Sequence, residues 1–355
     1  MDSPEATSAL RAGTYGDVST ALALYGDHEL AELVAGATPL GRGIGGRSAL
    51  LDVDGTPVFV KRVPLTERES LPENVRSTAN LFGLPTFCQY PIGGPGFGAW
   101  RELAVHTMTT NWVLSDRFEG FPLMYHWRVL PDEVQPLPEE LAEVDGVVAY
   151  WDGSSQVRER IEALRDATAS VALFLEYFPH NVHDWLGARV RDDEQALSLV
   201  TRELDAGVSF MNARGLLHFD AHFENILTDG HRLYFADYGL SLSSRFRLSG
   251  EEREFFDRHA SYDRVYTVTY LVNWLAAVLY GYGRDERQAF VRACAEGERP
   301  QGVPPAAAAL LTRHAPLAAA MGEFNHRLRG ESRRTPFPGD ELRRFGQSSS
   351  TVFAW

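Results

Sequence analysis

Lysine is almost missing from this 355-residue chain: of 34 basic residues only Lys61 is a lysine, and the rest are arginine. Arginine offers a planar fork, whereas lysine offers a compact charge on a flexible stem. One ammonium kept against so strong a bias marks a position that needs the point charge, as a group reaching for phosphate oxygens does. Cysteine is also scarce. Cys88 and Cys294 make neither a disulfide framework nor a zinc site. Basic charge as a whole is in deficit, 34 against 48 acidic residues for a net −14. That disfavours nucleic acid or an anionic membrane as partner and favours a cationic ligand. The opening residues, MDSPEATSALRAGTYGD, contain no apolar run of the secretory kind, so a cytoplasmic location is expected. The charge-free run from Val265 to Gly283 approaches membrane-spanning length, but Thr267, Thr269, Asn273 and several tyrosines interrupt it. It reads as a helix apolar nearly all round, at the centre of a helical lobe.

The rest of the chain divides in character. Residues 1–20 read as loose, with a short helix over Thr20–Ala35 ending at Gly36. Alternating apolar residues flank Asp54-Gly55 and predict a β-hairpin whose second strand, TPVFVKRV, carries Lys61. Residues 65–98 are rich in proline and glycine and give no element. A helix is expected over 99–114, a strand over 121–130, a polar helix from Ser154 and a buried strand over 171–178. Residues 131–154, with acidic groups, three prolines and no basic residue, read as an insertion with a solvated surface. Beyond Phe178 the pattern turns helical: Leu197, Val200, Leu204, Val208 and Met211 form a stripe that stops at Gly215.

The chemistry concentrates in HFDAHFENILTDGHRLYFADYG, from His218 to Gly239. His218, Asp220 and Asn225 fill the pattern H-x-D-x-x-x-x-N, and twelve residues on comes D-Y-G at Asp237, Tyr238 and Gly239. Two short strands joined at Asp229-Gly230 predict a return of Asp237 beside Asn225. A carboxylate and an amide oxygen so placed suit Mg²⁺, which takes few protein oxygens and completes its shell with phosphates. Asp220 could accept the proton of an attacking hydroxyl. Upstream, GRGIGGRS matches G-x-G-x-x-G through Gly41, Gly43 and Gly46, just before the hairpin that leads to Lys61.

In this order and spacing the chain resembles the protein-kinase-like superfamily, and His222, which makes D-x-H with Asp220, is similar to the aminoglycoside and choline phosphotransferase branch. The resemblance covers about Leu40 to Tyr282. It implies an α+β, bilobal kinase-like fold: an N-terminal extension (1–37), an antiparallel-sheet lobe (38–172) with the acidic insertion, a hinge (173–179) and a mainly helical lobe (180–355) with the catalytic and metal loops. It implies ATP and Mg²⁺ as cofactors, with Gly41, Gly43 and Gly46 covering the phosphates and Lys61 contacting them. Asn225 and Asp237 would hold metal, Asp220 would be the base, and the backbone of Glu176 and Phe178 would meet adenine. His218 and Asp263 would support the catalytic loop, although Asp263 fits a helix N-cap equally well. Glu102 would hold Lys61, with Glu67, Glu69 and Glu73 as alternatives.

Several residues depart from the family's pattern. Phe219 replaces the arginine that reads an activation-loop phosphate, no A-P-E follows D-Y-G, and Phe59 replaces a small residue two before the lysine. The missing A-P-E together with His222 favours a small-molecule hydroxyl as acceptor, a cationic one given the overall charge. Two other readings stay open: a peptide Ser/Thr kinase of a natural-product pathway of the lanthipeptide type, and a pseudokinase scaffold that binds nucleotide without turnover.

Overall fold

The structure, a computed structural model, describes residues 4–347 and is α+β, with 14 α-helices and a five-stranded antiparallel sheet among the described residues. The chain divides into two compact units after Tyr177. The first opens with α1 (Pro4–Leu24) and α2 (Asp27–Ala35), followed by β1 (Thr38–Gly43), β2 (Gly46–Val53), β3 (Thr56–Leu65) and the one-turn α3 (Glu67–Ser70). Then come α4 (Ala99–Leu114), β4 (Met124–Pro131), α5 (Glu139–Ala142), α6 (Val144–Tyr150), α7 (Ser155–Arg165) and β5 (Ala169–Glu176). The strands lie in the order β1-β2-β3-β5-β4. Asp54 and Gly55 turn the β2–β3 hairpin with φ of 51° and 83°, the left-handed pair that matches strand twist.

Both faces of this sheet are covered. Side chains of β3 and β5 alternate, and Val63, Leu65, Val171 and Leu173 pack against Ala99, Trp100 and Leu103 of α4. The intervening Val58, Val60, Ala172 and Phe174 are buried as well. Helices α1 and α2 lie against β2 and β4 and bury Val18, Leu22, Leu30 and Val34, each worth ~1.5–3 kcal/mol if fully removed from water. The expectation of loose residues 1–20 is therefore corrected: they are helical from Pro4. Gly13, Gly16 and several Ser and Thr weaken α1's own propensity, so its helicity comes from packing, which sequence periodicity does not reveal.

The acidic stretch 131–154 needs a similar correction. It contains α5 and α6, buries Leu141, Val148 and Trp151, and pairs Asp132 with Arg47 at 2.6 Å and Arg62 at 3.2 Å. The unplaced 65–98 region turns on Glu69. Its carboxylate closes a capping box on Thr66 and accepts the Ala99 amide at 2.9 Å and Arg160 at 2.8 Å. Gly98, at φ 122°, lets the chain enter α4 over that carboxylate; a Cβ there would sit 2.4 Å from Glu69 Oε1. So α4, and with it Glu102, is set in place by a buried acid 30 residues upstream.

The second unit comprises Phe178–Ala236, Leu242–Ser244 and the chain from Gly250. Its elements are β6 (His180–Asn181), α8 (Val182–Gly187), α9 (Glu194–Ala213), β7 (Leu216–Leu217), β8 (Ile226–Thr228), β9 (Leu233–Phe235) and β10 (Leu242–Ser243). Helices α10 (Gly250–Arg258), α11 (Tyr262–Tyr280), α12 (Arg284–Ala295), α13 (Pro305–Gly330) and α14 (Gly339–Gln347) follow. The stripe read from Leu197 to Met211 is the buried face of α9. Helix α11 packs on α12 and α13, and no described helix is long and apolar enough to cross a membrane. The segment Asp237–Ser241, expected with the helical part, groups instead with the sheet unit. There Gln89 donates to the Leu240 carbonyl and Tyr238 packs edge-on to His106.

Candidate active site

In the sheet unit the functional groups converge on Lys61. It lies in β3 opposite Ser48 of β2 and Leu173 of β5, and its side chain points to the α4 side of the sheet. Its ammonium is 2.7 Å from Glu102 Oε1 and donates to Asp237 Oδ1 at 2.8 Å. The lysine and Glu102 side chains are 10% and 2% exposed, Asp237 43%. Burial alone would lower the Lys61 pKa, but the Asp237 and Glu102 carboxylates overcome it and hold the lysine charged. Burial pushes Glu102 up, against the pull of Lys61, so its ionised form depends on the lysine. Among the four glutamates weighed for this role, Glu69 is committed to Arg160 and the start of α4, and Glu102 makes the pair.

The glycine-rich segment is the β1–β2 hairpin, closed where Gly43 pairs with Gly46. Gly41 and Gly43 lie in β1, and Gly46 sits at φ 120°, where a Cβ would fall 2.2 Å from the Arg62 carbonyl. The glycine nearest the charge centre is one the G-x-G-x-x-G reading passed over. A Cβ on Gly45 would lie 3.0 Å from Lys61 Nζ. Its signal in the sequence was only a fourth glycine at the tip of a hairpin whose register runs back to Lys61.

Asp237 adopts φ 59°, and the next residue, Tyr238, is buried with its ring 4.7 Å from that of His106 and its hydroxyl bonded to Thr109. The side chain that follows the aspartate is thereby anchored on α4, the helix that carries Glu102. Phe59 is half-buried against the α4-side core, on the same face of β3 as Lys61. Glu176 is held through both its amide and its side chain. Its N–H donates to the Leu123 carbonyl at 2.8 Å, and its carboxylate is gripped by both arms of Arg11, at 2.9 and 2.6 Å. The amide is thus spent in the sheet, and a base contact from Glu176 would fall to its carbonyl.

In the helical unit a second group forms around Asp220. Asp263 accepts the His218 and Phe219 amides, at 2.7 and 2.8 Å, one on each carboxylate oxygen. Ser261 is the residue at the N-cap of α11, so Asp263 braces the loop rather than capping the helix. Burial pushes its pKa up to about 6, with the two amides pulling it down. His218 Nδ1 accepts the Asp220 amide at 3.3 Å, so Nε2 carries the proton and donates to the Ala236 carbonyl at 2.9 Å. Phe219, at φ 65°, stacks on Tyr262 and Phe255. Its side chain fills a core where an arginine would be buried without solvent.

Asn225 Nδ2 donates to the Asp220 carbonyl at 3.0 Å and to its carboxylate at 3.3 Å, which leaves Oδ1 as the amide's acceptor atom. Strands β8 and β9 pair, and the Ala236 amide returns to the Asn225 carbonyl at 3.0 Å, immediately before Asp237 in the chain. His222 lies 3.7 Å from Asp220 Oδ1. One neighbour of Asp220 was missed: Tyr266 of α11, whose hydroxyl donates to Oδ1 at 3.4 Å. Phe178 stacks on Tyr234, ring centres 3.9 Å apart.

No protein-family model matches the chain, and no curated protein matches it significantly.

Proposed function

We propose that the chain is a Mg·ATP-dependent phosphotransferase of protein-kinase-like fold, with the sheet unit as its small lobe and the helical unit as its large one. The reading rests above all on the only lysine of the chain, held at 2.7 and 2.8 Å between Glu102 and the aspartate of D-Y-G. A structural ion pair would have been served by any of the arginines that the chain otherwise uses. A charged ammonium shared by two carboxylates is poised to be handed to phosphate oxygens when a nucleotide arrives.

Gly41, Gly43, Gly45 and Gly46 bring backbone N–H groups to the phosphates with no side chain in the way. Asn225 Oδ1 and the Asp237 carboxylate would hold the metal. Both are hard oxygen donors, and among the described residues no three His, Cys, Asp or Glu side chains cluster as a metal cage. So sparse a set fits magnesium, which arrives with phosphate oxygens already bound. Magnesium supplies charge neutralisation at those oxygens. Asp220 takes the proton of the acceptor hydroxyl as its oxygen bonds to the γ-phosphorus and the bond from that phosphorus to the ADP oxygen breaks. His218, Asp263 and Tyr266 keep Asp220 in position for this.

Titrating ATP with and without Mg²⁺ while following thermal unfolding tests the nucleotide half, since binding stabilises by RT ln(1 + [L]/Kd). Asp220→Asn should keep that stabilisation and lose ~10²–10⁴-fold in phosphotransfer. Absence of any ATP-dependent shift would sink the proposal. A shift with no labelled product from γ-labelled ATP and host extract would favour the non-catalytic scaffold.

A further inference from the structure

Helix α11 is not apolar all round. Tyr266, Tyr270, Asn273 and Ala277 recur at four, three and four along it, and they line a cavity of ≈ 800 Å³ shared with α12 and α13. One side chain links the cavity to the proposed base: Tyr266 is both part of its wall and the residue that donates to Asp220. The far walls carry charge of one dominant sign. Arg284, Arg287 and Arg292 come from α12 and Arg329 from α13. Among the described residues none of these four forms an ion pair. Of the two acids on the wall, Glu331 is already paired with Arg327, which leaves Glu323.

Arg287 gives a further sign that something is meant to be held here. Its Nε is buried and has no hydrogen-bond partner, a cost of ~1–3 kcal/mol left uncompensated at the edge of the cavity. Tyr270 and Tyr266 are kept protonated by burial, with Arg287 and Arg329 respectively near enough to pull the other way. Both arginines line the same cavity as these two phenols, and Tyr266 connects it to Asp220.

We propose that this cavity seats the acceptor, and that the acceptor is a small hydroxyl compound carrying a phosphate or carboxylate. Its anionic group is held by Arg287 and Arg329, and its hydroxyl is directed toward Asp220. Planar forks on a concave wall suit tetrahedral or carboxylate oxygens. The cavity's volume is in the range of small-molecule sites. The whole-chain charge of −14 favours a cation, but charges on remote surfaces are screened within about 8–10 Å, and the wall charges decide what enters. This assignment rests on Asp220 being the base of the proposed phosphotransfer.

The test is binding of inorganic phosphate and of acetate, without nucleotide, against chloride at matched ionic strength. Using Lys61→Met protein removes phosphate binding at the nucleotide end. Phosphate or acetate should saturate in the millimolar range, and Arg287→Gln with Arg329→Gln should weaken it at least ~tenfold. Arg299→Gln, an exposed arginine outside the cavity, should leave it unchanged. Whichever anion binds tighter names the acceptor's charged group. Anion binding that survives the double replacement, no saturation by either anion, or choline binding tighter than both would overturn the proposal. Arginine-dependent anion binding, with no Mg·ATP shift in the protein that keeps Lys61, would keep this site and remove the kinase reading. A Mg·ATP shift without anion binding would do the reverse.

Discussion

Glu102 Oε1 lies 2.7 Å from the Lys61 ammonium, and the pair is almost wholly withdrawn from solvent. Removing only the lysine strands a carboxylate whose burial already favours its protonated form. Lys61→Met should therefore cost ~3–5 kcal/mol in urea unfolding near neutral pH, the scale for breaking a buried pair. Adding Glu102→Gln should recover part of that loss, because the uncompensated charge goes with it. Strictly additive effects in the double-mutant cycle would mean the two residues are not coupled. Lys61→Arg should hold stability better than Lys61→Met yet fail to restore ATP binding, since a planar fork does not reproduce the point charge.

Adjacent glycines in the β1–β2 hairpin should respond to alanine in opposite ways. At Gly45 the added Cβ meets Lys61 Nζ at 3.0 Å, the far end of a flexible side chain that can move aside. Gly45→Ala is expected to change the melting temperature little and to weaken Mg·ATP binding by displacing the ammonium. At Gly46 the Cβ would meet backbone, the Arg62 carbonyl, at 2.2 Å with φ at 120°. Gly46→Ala should destabilise by at least ~1–3 kcal/mol. Equal melting temperatures for the two variants would contradict this division.

These two glycines also show where the sequence was readable. Local signals carried the Asp54-Gly55 hairpin, the helix at 99–114 and the α9 stripe, since each depends on neighbours in the chain. The Lys61–Glu102 pairing needed a guess across 41 positions, and the structure makes it through Glu69, which anchors the first turn of α4. Gly45 and Tyr266 were not legible. Gly45 falls between the spaced glycines of the motif, and Tyr266 looked like one more interruption in a charge-free run. Their significance is a distance to a residue far away in sequence, which periodicity does not encode. Helix α1 was misread for a related reason: a chain segment with weak propensity is ordered by the sheet face it covers.

Arg11 should prove essential to that ordering. It donates to both oxygens of Glu176 and to the carbonyls of Glu119 and Phe121. The two side chains are only 11% and 14% exposed. Arg11→Ala leaves Glu176 with the Leu123 amide as a remaining partner, and is expected to cost about 3 kcal/mol. Hydrogen exchange should then rise at α1 and at the end of β5 together. Protection lost in α1 alone would show that the helix docks without bearing on the strand. Arg11→Lys should restore only part of the stability, because a single ammonium cannot serve a carboxylate and two carbonyls in that geometry.

Asp263 supplies the pH test. Burial lifts its folded-state pKa to about 6, above the ordinary carboxylate value of about 4. Between those values the folded protein holds a proton that the unfolded chain has released, so this residue's contribution to stability rises as pH falls from about 6 toward 4. Above about 6 both states are ionised and the cost of the buried charge is carried in full. Asp263→Asn cannot titrate, and its single acceptor oxygen can serve only one of the two amides, at His218 and Phe219, that the carboxylate now holds. The variant should be less stable than the parent near neutral pH, and the gap should widen on acidification by up to about 1.4 kcal/mol per unit. Phosphotransfer should move the other way, falling through the same range as protonation costs the Asp220 loop one of its two anchors. Urea unfolding of both proteins across that range measures the first effect, and initial rates measure the second. A gap that narrows toward acid would mean that Asp263 stays ionised there and that the two amides outweigh burial.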